Sequence, residues 1–247
     1  MSASSIINVS VFGSWARPTD WTTTFINLSR AAQQVSYEIV MAGPNKPTFS
    51  LPPNVTFIHT DPDPGFAYCA QFAERLCQGE TIMQVGDDCR LSLNALDNMY
   101  LKFKHENDYK CMIHPRWGTG PKNDLTDSHP YLFETPSPTA RYGFPMWSKR
   151  FFDELGGYDR RFRFGPGDAD IQLRAYAQGG RYVYAYDAFL SEDTTAQGGT
   201  FGGTFYQKNG STELQNLIWR RWYSNGEQYG GTLLSEPRTP FEPIEEK

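Results

Sequence analysis

The sequence lacks both a long apolar run and an excess of basic residues. It has 247 residues, with 23 Lys and Arg against 28 Asp and Glu. No run of about 18 apolar residues occurs, so we expect no transmembrane segment. The net charge of −5 argues against a nucleic-acid binder, which needs a basic surface. The N-terminal segment Met1-Ser-Ala-Ser-Ser lacks the basic start of a signal peptide, and we therefore expect a cytoplasmic protein.

Cysteine is also scarce, and its spacing suits neither cross-links nor a zinc site. The four cysteines are Cys69, Cys77, Cys89 and Cys111. Cys69 and Cys77 fall on one predicted helix, where a rise of 1.5 Å per residue separates them by roughly 12 Å. That separation is too long for a disulfide. No Cys-x-x-Cys pair occurs, so a zinc knuckle is not expected, and we predict reduced thiols in the core.

The sequence does contain a regular alternation of strand-like and helix-like segments. The β-branched apolar runs predict strands at residues 6–12, 37–42, 55–59, 81–85, 110–113 and 182–186. Apolar spacing predicts amphipathic helices between them, including 66–78, 151–155 and 168–178. This order predicts an α/β fold in which a mostly parallel central sheet is flanked by helices. Binding sites in such sheets lie beyond the carboxyl ends of the strands.

We expect one domain over residues 1–235, followed by a flexible tail at 236–247. The strand and helix alternation is regular in the first half, about 1–113. The second half, about 114–235, is irregular and begins with a long segment rich in Pro, Gly, Thr and Asp. Loops of that length inside a compact domain are usually functional.

Two acidic motifs mark the edges of predicted elements. Gly86-Asp87-Asp88 directly follows the strand at 81–85, and Gly167-Asp168-Ala-Asp170 opens the helix at 168–178. Two such clusters suggest a divalent cation and a general base that share one cleft. That combination suits group transfer from a nucleoside diphosphate.

Taken in chain order, the motifs resemble those of glycosyltransferases of GT-A fold, close to the inverting glycosyltransferase family 2. Five segments carry the resemblance over roughly residues 6–193. They are Val9-Ser-Val-Phe-Gly-Ser-Trp-Ala-Arg17-Pro18, Val55-Thr-Phe-Ile-His with Pro64-Gly-Phe-Ala67, Val85-Gly-Asp-Asp-Cys-Arg-Leu, Phe151-Phe-Asp-Glu-Leu-Gly-Gly-Tyr-Asp and Gly167-Asp-Ala-Asp-Ile-Gln-Leu-Arg174. Each motif alone is loose, but five in the correct order are specific.

The chain departs from the family pattern at several acidic positions. Gly86 replaces the first acid of the family's D-x-D motif, and Gly167 replaces the Glu of its E-D motif. Ala42-Gly43 stand where acidic residues help to read the base. Leu190-Ser-Glu192-Asp193 stands where many relatives carry a metal-binding His, and a carboxylate there would also suit a hard cation.

The resemblance implies that a sugar is transferred with inversion from a nucleotide-sugar donor, with UDP-sugars favoured, to a hydroxyl of a glycan or other acceptor. Asp168 is the predicted base, because a helix N-terminus favours the ionised carboxylate that a base requires. Asp170 is the alternative base. A helix-capping role is the structural alternative for Asp168.

The resemblance also implies a divalent cation, Mn²⁺ or Mg²⁺, that neutralises the leaving diphosphate. Asp88 is the predicted ligand, joined by Glu192 or Asp193. A solvated turn is the alternative for Asp87 and Asp88. The other predicted donor contacts are Phe12, Gly13, Ser14, Arg17, Gln71, Asp87 and Tyr158.

The acceptor is predicted to contact His114, Trp117 and Asp159, for which core or helix-capping roles are the alternatives. A basic, aromatic segment at 212–223 predicts a helix that closes the cleft or touches an anionic membrane surface.

Two other functions remain open at this point. A nucleotidyltransferase would use a similar sheet but needs a Gly-rich, basic loop after the first strand, where Gly13-Ser-Trp-Ala-Arg17 has one Gly and one Arg. A sugar-binding module without catalysis is the second alternative, because two of the family's acids are missing.

Overall fold

The structure is a computed structural model that describes residues 6–15, 21–60, 65–86, 88–119, 144–162, 167–192, 223–224 and 227–228. Arg17, Asp87, Asp193, the segment 212–222 and the tail at 236–247 lie outside these residues. The helices are α1 (Thr22–Ala31), α2 (Phe66–Arg75), α3 (Ala95–Glu106), α4 (Lys149–Glu154) and α5 (Gly167–Ala177). The strands are β1 (Val9–Ser14), β2 (Tyr37–Gly43), β3 (Val55–His59), β4 (Thr81–Gln84), β5 (Cys89–Leu91), β6 (Cys111–Thr119), β7 (Met146–Ser148), β8 (Arg181–Glu192), β9 (Tyr223–Ser224) and β10 (Glu227–Gln228).

One sheet of eight strands organises the described part of the chain, in the order β3-β2-β1-β4-β7-β6-β8-β5. Strands β1 to β4 are parallel, and β6 pairs with β8 in parallel. The short strand β7 is antiparallel to β4 and β6, and β5 is antiparallel to β8. The predicted α/β fold with a mostly parallel sheet flanked by helices is therefore confirmed. Strands β5, β7, β9 and β10 were not predicted, and Tyr223, predicted as the last residue of a helix, lies in β9, where it pairs with Gln228.

Two apolar layers cover the sheet, one on each face. Alternate residues of a strand point to opposite faces, so Val11 joins one layer and Phe12 the other. The first layer contains residues of α1 and α3, and the second contains residues of α2, α4 and α5. All four cysteines are buried thiols outside any disulfide, as predicted. No described helix has the length and apolar character needed to cross a membrane, and a cytoplasmic location stays a prediction.

Local sequence explains the start of helix α2, whereas its end differs from the predicted one. It begins after Gly65, whose φ of 92° is a conformation that favours glycine. The predicted end at residue 78 is wrong, because the helix stops at Arg75 and Leu76 is 49% exposed. Strand β4 follows this helix, and its pairing with β1 places Gln84 beside Phe12 at the carboxyl edge of the sheet.

Candidate functional site

The carboxyl ends of β1 and β4 form one edge of the sheet, where a ligand is expected in this topology. Phe12 and Gln84 are neighbours in the β1–β4 ladder. Gly86 and Asp88 follow β4, and Asp88 is only 6% exposed. Its carboxylate Oδ1 accepts a hydrogen bond from the Cys89 thiol at 3.8 Å. The first acidic motif therefore sits at the edge where the sequence placed it.

The register of β5 brings the predicted metal positions together along the backbone. Glu192, the last residue of β8, pairs with Cys89 of β5 and with Thr119 of β6. Glu192 is therefore one ladder position from Asp88. Among the described residues, no cluster of three or more His, Cys, Asp or Glu side chains is arranged to hold a metal. The adjacency of residues 88 and 192 is a property of the strand pairing alone.

Asp168 lies in the first turn of α5 and is partly buried. Its Oδ1 accepts a hydrogen bond from the backbone N–H of Ala169 at 2.9 Å. Although the residue keeps some exposure, its carboxyl is enclosed by protein, and this burial raises its pKa to about 6 against the opposing effect of backbone hydrogen bonds. The carboxyl is therefore mostly ionised at pH 7 and becomes protonated in mild acid.

Tyr158 connects the two acidic motifs. Its hydroxyl donates a hydrogen bond to Oε1 of Gln84 at the end of β4. On the other side, Gly167 at the start of α5 packs on the ring, because a Cβ built on Gly167 would lie 3.8 Å from Cδ1 of Tyr158. Burial, reinforced by the charge of Asp168, raises the pKa of the Tyr158 phenol well above its usual value. The start of α5 and the end of β4 therefore border one buried phenol.

Asp170 lies two residues beyond Asp168 and is fully buried. Its Oδ2 forms an ion pair with Nε of Arg174 at 2.9 Å. Arg174 also donates to the carbonyl oxygens of Leu155 at 2.8 Å and Gly157 at 2.6 Å. The pair fastens α5 to the turn that precedes it. A charge held in this way is costly to release, so the geometry disfavours Asp170 as the base.

Gln71 and Asp159, two predicted substrate contacts, are also engaged internally. Gln71 accepts the backbone N–H of Tyr158 at 2.7 Å and donates to Glu74 at 2.7 Å, so both ends of its amide are occupied. The carboxylate of Asp159 is fully buried and accepts from the backbone and guanidinium of Arg161 at 2.7–3.1 Å. These residues shape the turn between α4 and α5.

The predicted donor contacts on β1 differ in which atoms they could offer to a ligand. The Phe12 side chain is fully buried, with its ring 6.0 Å from that of Phe152. Gly13 faces the backbone after β4, since a Cβ there would lie 2.5 Å from the carbonyl oxygen of Val85. The Ser14 hydroxyl is buried and has no hydrogen-bond partner among the described residues. Ser14 is thus the residue of β1 whose side-chain polar group makes no hydrogen bond within the described part of the chain.

The two predicted acceptor contacts on β6 are enclosed in the described structure. His114 is 2% exposed, and its ring lies 5.1 Å from that of Tyr182 and 5.9 Å from that of Tyr184. Burial lowers the pKa of His114 to about 3, so the imidazole is neutral. Trp117 is 7% exposed and belongs to the apolar layer of α1 and α3.

Two buried polar features escaped the sequence analysis, one at this edge and one near the amino end of β4, where Lys149 N–H donates to the carbonyl oxygen of Glu80. One is Gln84, a polar residue in an otherwise apolar strand, which is 5% exposed. The other is a buried ion pair in which Nζ of Lys149 lies 2.6 Å from Oε1 of Glu74. Burial raises the pKa of Glu74 to about 7 even though Lys149 lowers it. The sequence signal for both was a polar residue at a position whose neighbours predict burial.

No protein-family model and no curated protein matches the chain. Solved structures do match in fold. A structure of GalNAc-T7 with UDP, GalNAc and Mn²⁺ aligns with a TM-score of 0.65 and 12% identity over 90% of this chain and 49% of that chain. A structure of S. aureus TarS aligns with a TM-score of 0.58 and 12% identity over 86% of this chain and 39% of that chain.

A structure of S. aureus TarS 1-349 in complex with UDP aligns with a TM-score of 0.56 over 75% of this chain and 60% of that chain. The chain therefore spans less than two thirds of the length of each of these three structures. At 12% identity the likeness shows the fold. The fold of this chain is the GT-A fold of these glycosyltransferases.

Proposed function

We propose that this protein is a metal-dependent, inverting glycosyltransferase that moves a sugar from a nucleoside-diphosphate sugar to a hydroxyl of a glycan acceptor. One observation carries the proposal. Asp168 and the end of β4, which leads into Asp88, border the same buried phenol of Tyr158. A base and an acidic strand end at one edge are the two elements that the reaction needs. The GT-A fold supports it.

Asp168 is the proposed base. The acceptor hydroxyl gives its proton to the Asp168 carboxylate while its oxygen bonds to the anomeric carbon. The bond between that carbon and the diphosphate oxygen breaks, and the nucleoside diphosphate leaves with the electron pair. A single displacement of this kind inverts the anomeric carbon. The raised pKa of Asp168, about 6, suits a base that works near neutral pH, because it accepts a proton more readily than an ordinary carboxylate.

Asp88, with Glu192 or Asp193, is the proposed binding site for Mn²⁺ or Mg²⁺. The donor set fits such a cation, because carboxylate oxygens are the ligands that hard divalent ions prefer. The strand register, which places residue 192 one ladder position from Asp88, supports a shared site. A bound cation would neutralise charge on the leaving diphosphate.

The proposed donor is a UDP-sugar, since UDP is bound in the structures of GalNAc-T7 and of TarS 1-349. We propose that Gly13 and Ser14 contribute backbone and hydroxyl contacts to the nucleotide, and that Arg17 and Asp87 add charged or polar contacts. For Phe12 any contact would come from the backbone, because its ring is in the core. Residues 114–235 are proposed to hold the acceptor.

Release of nucleotide from a panel of UDP-, GDP-, dTDP- and CMP-sugars with Mn²⁺ tests this function. We expect the wild-type protein to turn over one donor class. Asp168→Asn should lower the rate by roughly 10²–10⁴-fold, the usual contribution of a general base. Asp187→Asn makes the same chemical change at an exposed position and should keep the wild-type rate. Turnover by Asp168→Asn at the wild-type rate would remove Asp168 from the mechanism, and no turnover by any protein would favour a sugar-binding module.

A further inference from the structure

The Gln84 side chain is the polar group at this edge that the proposed mechanism leaves unused. It ends β4 two residues before Gly86 and is 5% exposed. A buried amide normally has partners for both its oxygen and its nitrogen. Oε1 of Gln84 accepts the Tyr158 hydroxyl, but Nε2 is buried without a hydrogen-bond partner among the described residues.

The amide is also held in a defined place. Tyr158 is fully buried, and its ring lies 5.5 Å from that of Phe152 in an edge-to-face contact. Its backbone N–H is bound by Gln71, which is bound in turn by Glu74. Because Tyr158 is held by its backbone and by the packing of its ring, its hydroxyl fixes the position of the acceptor oxygen of Gln84. The two N–H bonds of Nε2 are thereby left for a partner other than the described residues.

The position of Gln84 identifies the chemistry of that partner. Gln84 ends the strand that leads to Asp88, and its amide is linked through the Tyr158 hydroxyl to the ring on which the start of α5, next to Asp168, packs. In the proposed reaction the space between the base and the diphosphate site is occupied by the transferred sugar. A sugar hydroxyl offers an acceptor oxygen to an uncharged N–H donor. An unpaired, buried donor that meets such a ligand gains a hydrogen bond without losing one to water.

We propose that Gln84 is a sugar-binding residue of the donor site, which donates from Nε2 to a hydroxyl of the transferred sugar, and that Tyr158 is its positioning residue. This inference rests on the proposed function and adds a specificity determinant to it. The residue discriminates by hydrogen bonding, so donors that differ at the contacted hydroxyl should differ in affinity. The nucleotide itself does not take part in the contact.

The dissociation constants of UDP and of UDP-sugars, measured by calorimetry with Mn²⁺, test the inference. The probes are UDP, UDP-glucose, UDP-galactose, UDP-GlcNAc and UDP-GalNAc. Gln84→Glu keeps an oxygen for the Tyr158 hydroxyl but removes the N–H donor, and Gln84→Met removes both groups at similar volume. We expect both variants to bind UDP like the wild-type protein. Their affinity for the sugar that the wild-type protein binds most tightly should fall about tenfold.

Gln178→Glu is the matched control, since it makes the same change at an exposed position of the chain and should alter no constant. Unchanged UDP-sugar affinity in both Gln84 variants would overturn the inference, because Nε2 would then make no hydrogen bond to the sugar. An equal loss for UDP and the UDP-sugar would also overturn it, because the contact would be to the nucleotide or to the fold. If Gln84→Met does not fold, Gln84→Glu alone decides. Failure of the wild-type protein to bind any of the probes would instead overturn the proposed UDP-sugar donor, and the inference with it.

Discussion

Two regions of the molecule are rich in polar side chains but use them differently. The first region is the turn and helix from Gly156 to Ala177, and the second is the strand ends at Ser14, Gln84 and Asp88. In the first region Asp159 and Asp170 are each bound by an arginine of the same segment. In the second region Ser14 Oγ and Gln84 Nε2 are buried without partners among the described residues. The polar groups of the first region hold its own turn and helix, whereas we propose that those of the second region bind a ligand.

Asp168 lies in the first region along the chain, but its proposed role as the base links it to the ligand-binding strand ends of the second region. The difference from Asp170 is visible one helical turn later. Asp170 faces Arg174 at i+4, whereas the residue four positions after Asp168 is Gln172, whose amide donates to the Asp168 backbone carbonyl at 3.2 Å. Of two carboxylates in one helical turn, Asp170 is therefore bound by the charge of its i+4 neighbour, whereas Asp168, the proposed base, has an uncharged i+4 neighbour.

The sharpest test of that division compares the same substitution at the two positions. Asp170→Asn leaves the buried Arg174 guanidinium without its counter-charge, and we expect it to lower the free energy of unfolding by about 3–5 kcal/mol. Asp168→Asn removes no ion pair, and it removes a carboxylate whose ionised form is disfavoured by burial, so it should raise the free energy of unfolding at pH 7 by up to about 3 kcal/mol. Urea unfolding at pH 7 measures both. Similar losses in the two variants would show that the carboxylates are not divided in this way.

The pH dependence of stability sharpens the comparison for Asp168. Its pKa is raised in the folded state to about 6 from 3.8, so the folded protein binds the proton more tightly than the unfolded chain. The stabilisation is complete below about pH 4 and is lost as the pH rises through about 6. We therefore expect the wild-type protein to lose up to about 3 kcal/mol relative to Asp168→Asn between pH 4 and pH 7.

Unfolding curves of the two proteins at several pH values measure this difference. Asp187→Asn, at an exposed position, is the control and should show no such trend against the wild type. A constant difference between the wild type and Asp168→Asn, or one with the opposite sign, would contradict the raised pKa.

A smaller effect tests how the turn after α4 holds Tyr158, whose hydroxyl contacts Gln84 in the second region. Gly157 and Gly179 have φ values of 74° and 84°, so alanine is strained at both. A Cβ at Gly179 meets nothing within 4 Å, whereas a Cβ at Gly157 would overlap the Gln71 amide that binds Tyr158. We expect Gly179→Ala to cost about 1 kcal/mol and Gly157→Ala about 2 kcal/mol, the difference being the lost hydrogen bond. Thermal unfolding measures both, and equal costs would show that the Gln71 contact is unimportant.

Much of the fold followed from hydrophobic periodicity. The strand predicted at 55–59 has the observed bounds, and the strand predicted at 37–42 ends one residue short of β2. Strands β5 and β7 were missed because three residues are too few for a periodic pattern. Their pairing with β8 and with β4 and β6 depends on partners far away in the sequence. Tertiary contacts, which no local pattern encodes, decided both strands.

The places of the acidic residues in the fold were predictable, but the contacts of the individual side chains were not. The acidic motifs predicted the neighbourhood of Asp88 and Asp168, because strand and helix ends are legible in sequence. The internal roles of Gln71 and Asp159 depend on the path of the turn between α4 and α5, which the two positive φ values at Gly156 and Gly157 determine. Gln84 was missed because one polar residue within an apolar strand belongs to no motif.

The central claim is that the strand ends bind a nucleotide diphosphate through a cation held at Asp88. A thermal-shift titration with UDP, GDP, dTDP and CMP, each with Mn²⁺, Mg²⁺ or EDTA, tests it most directly. At 100 times its dissociation constant, one nucleoside diphosphate should stabilise the protein by about 2.7 kcal/mol. That shift should appear only with metal and should be lost in Asp88→Asn. No shift with any nucleotide, or an equal shift in EDTA and in Asp88→Asn, would contradict the account.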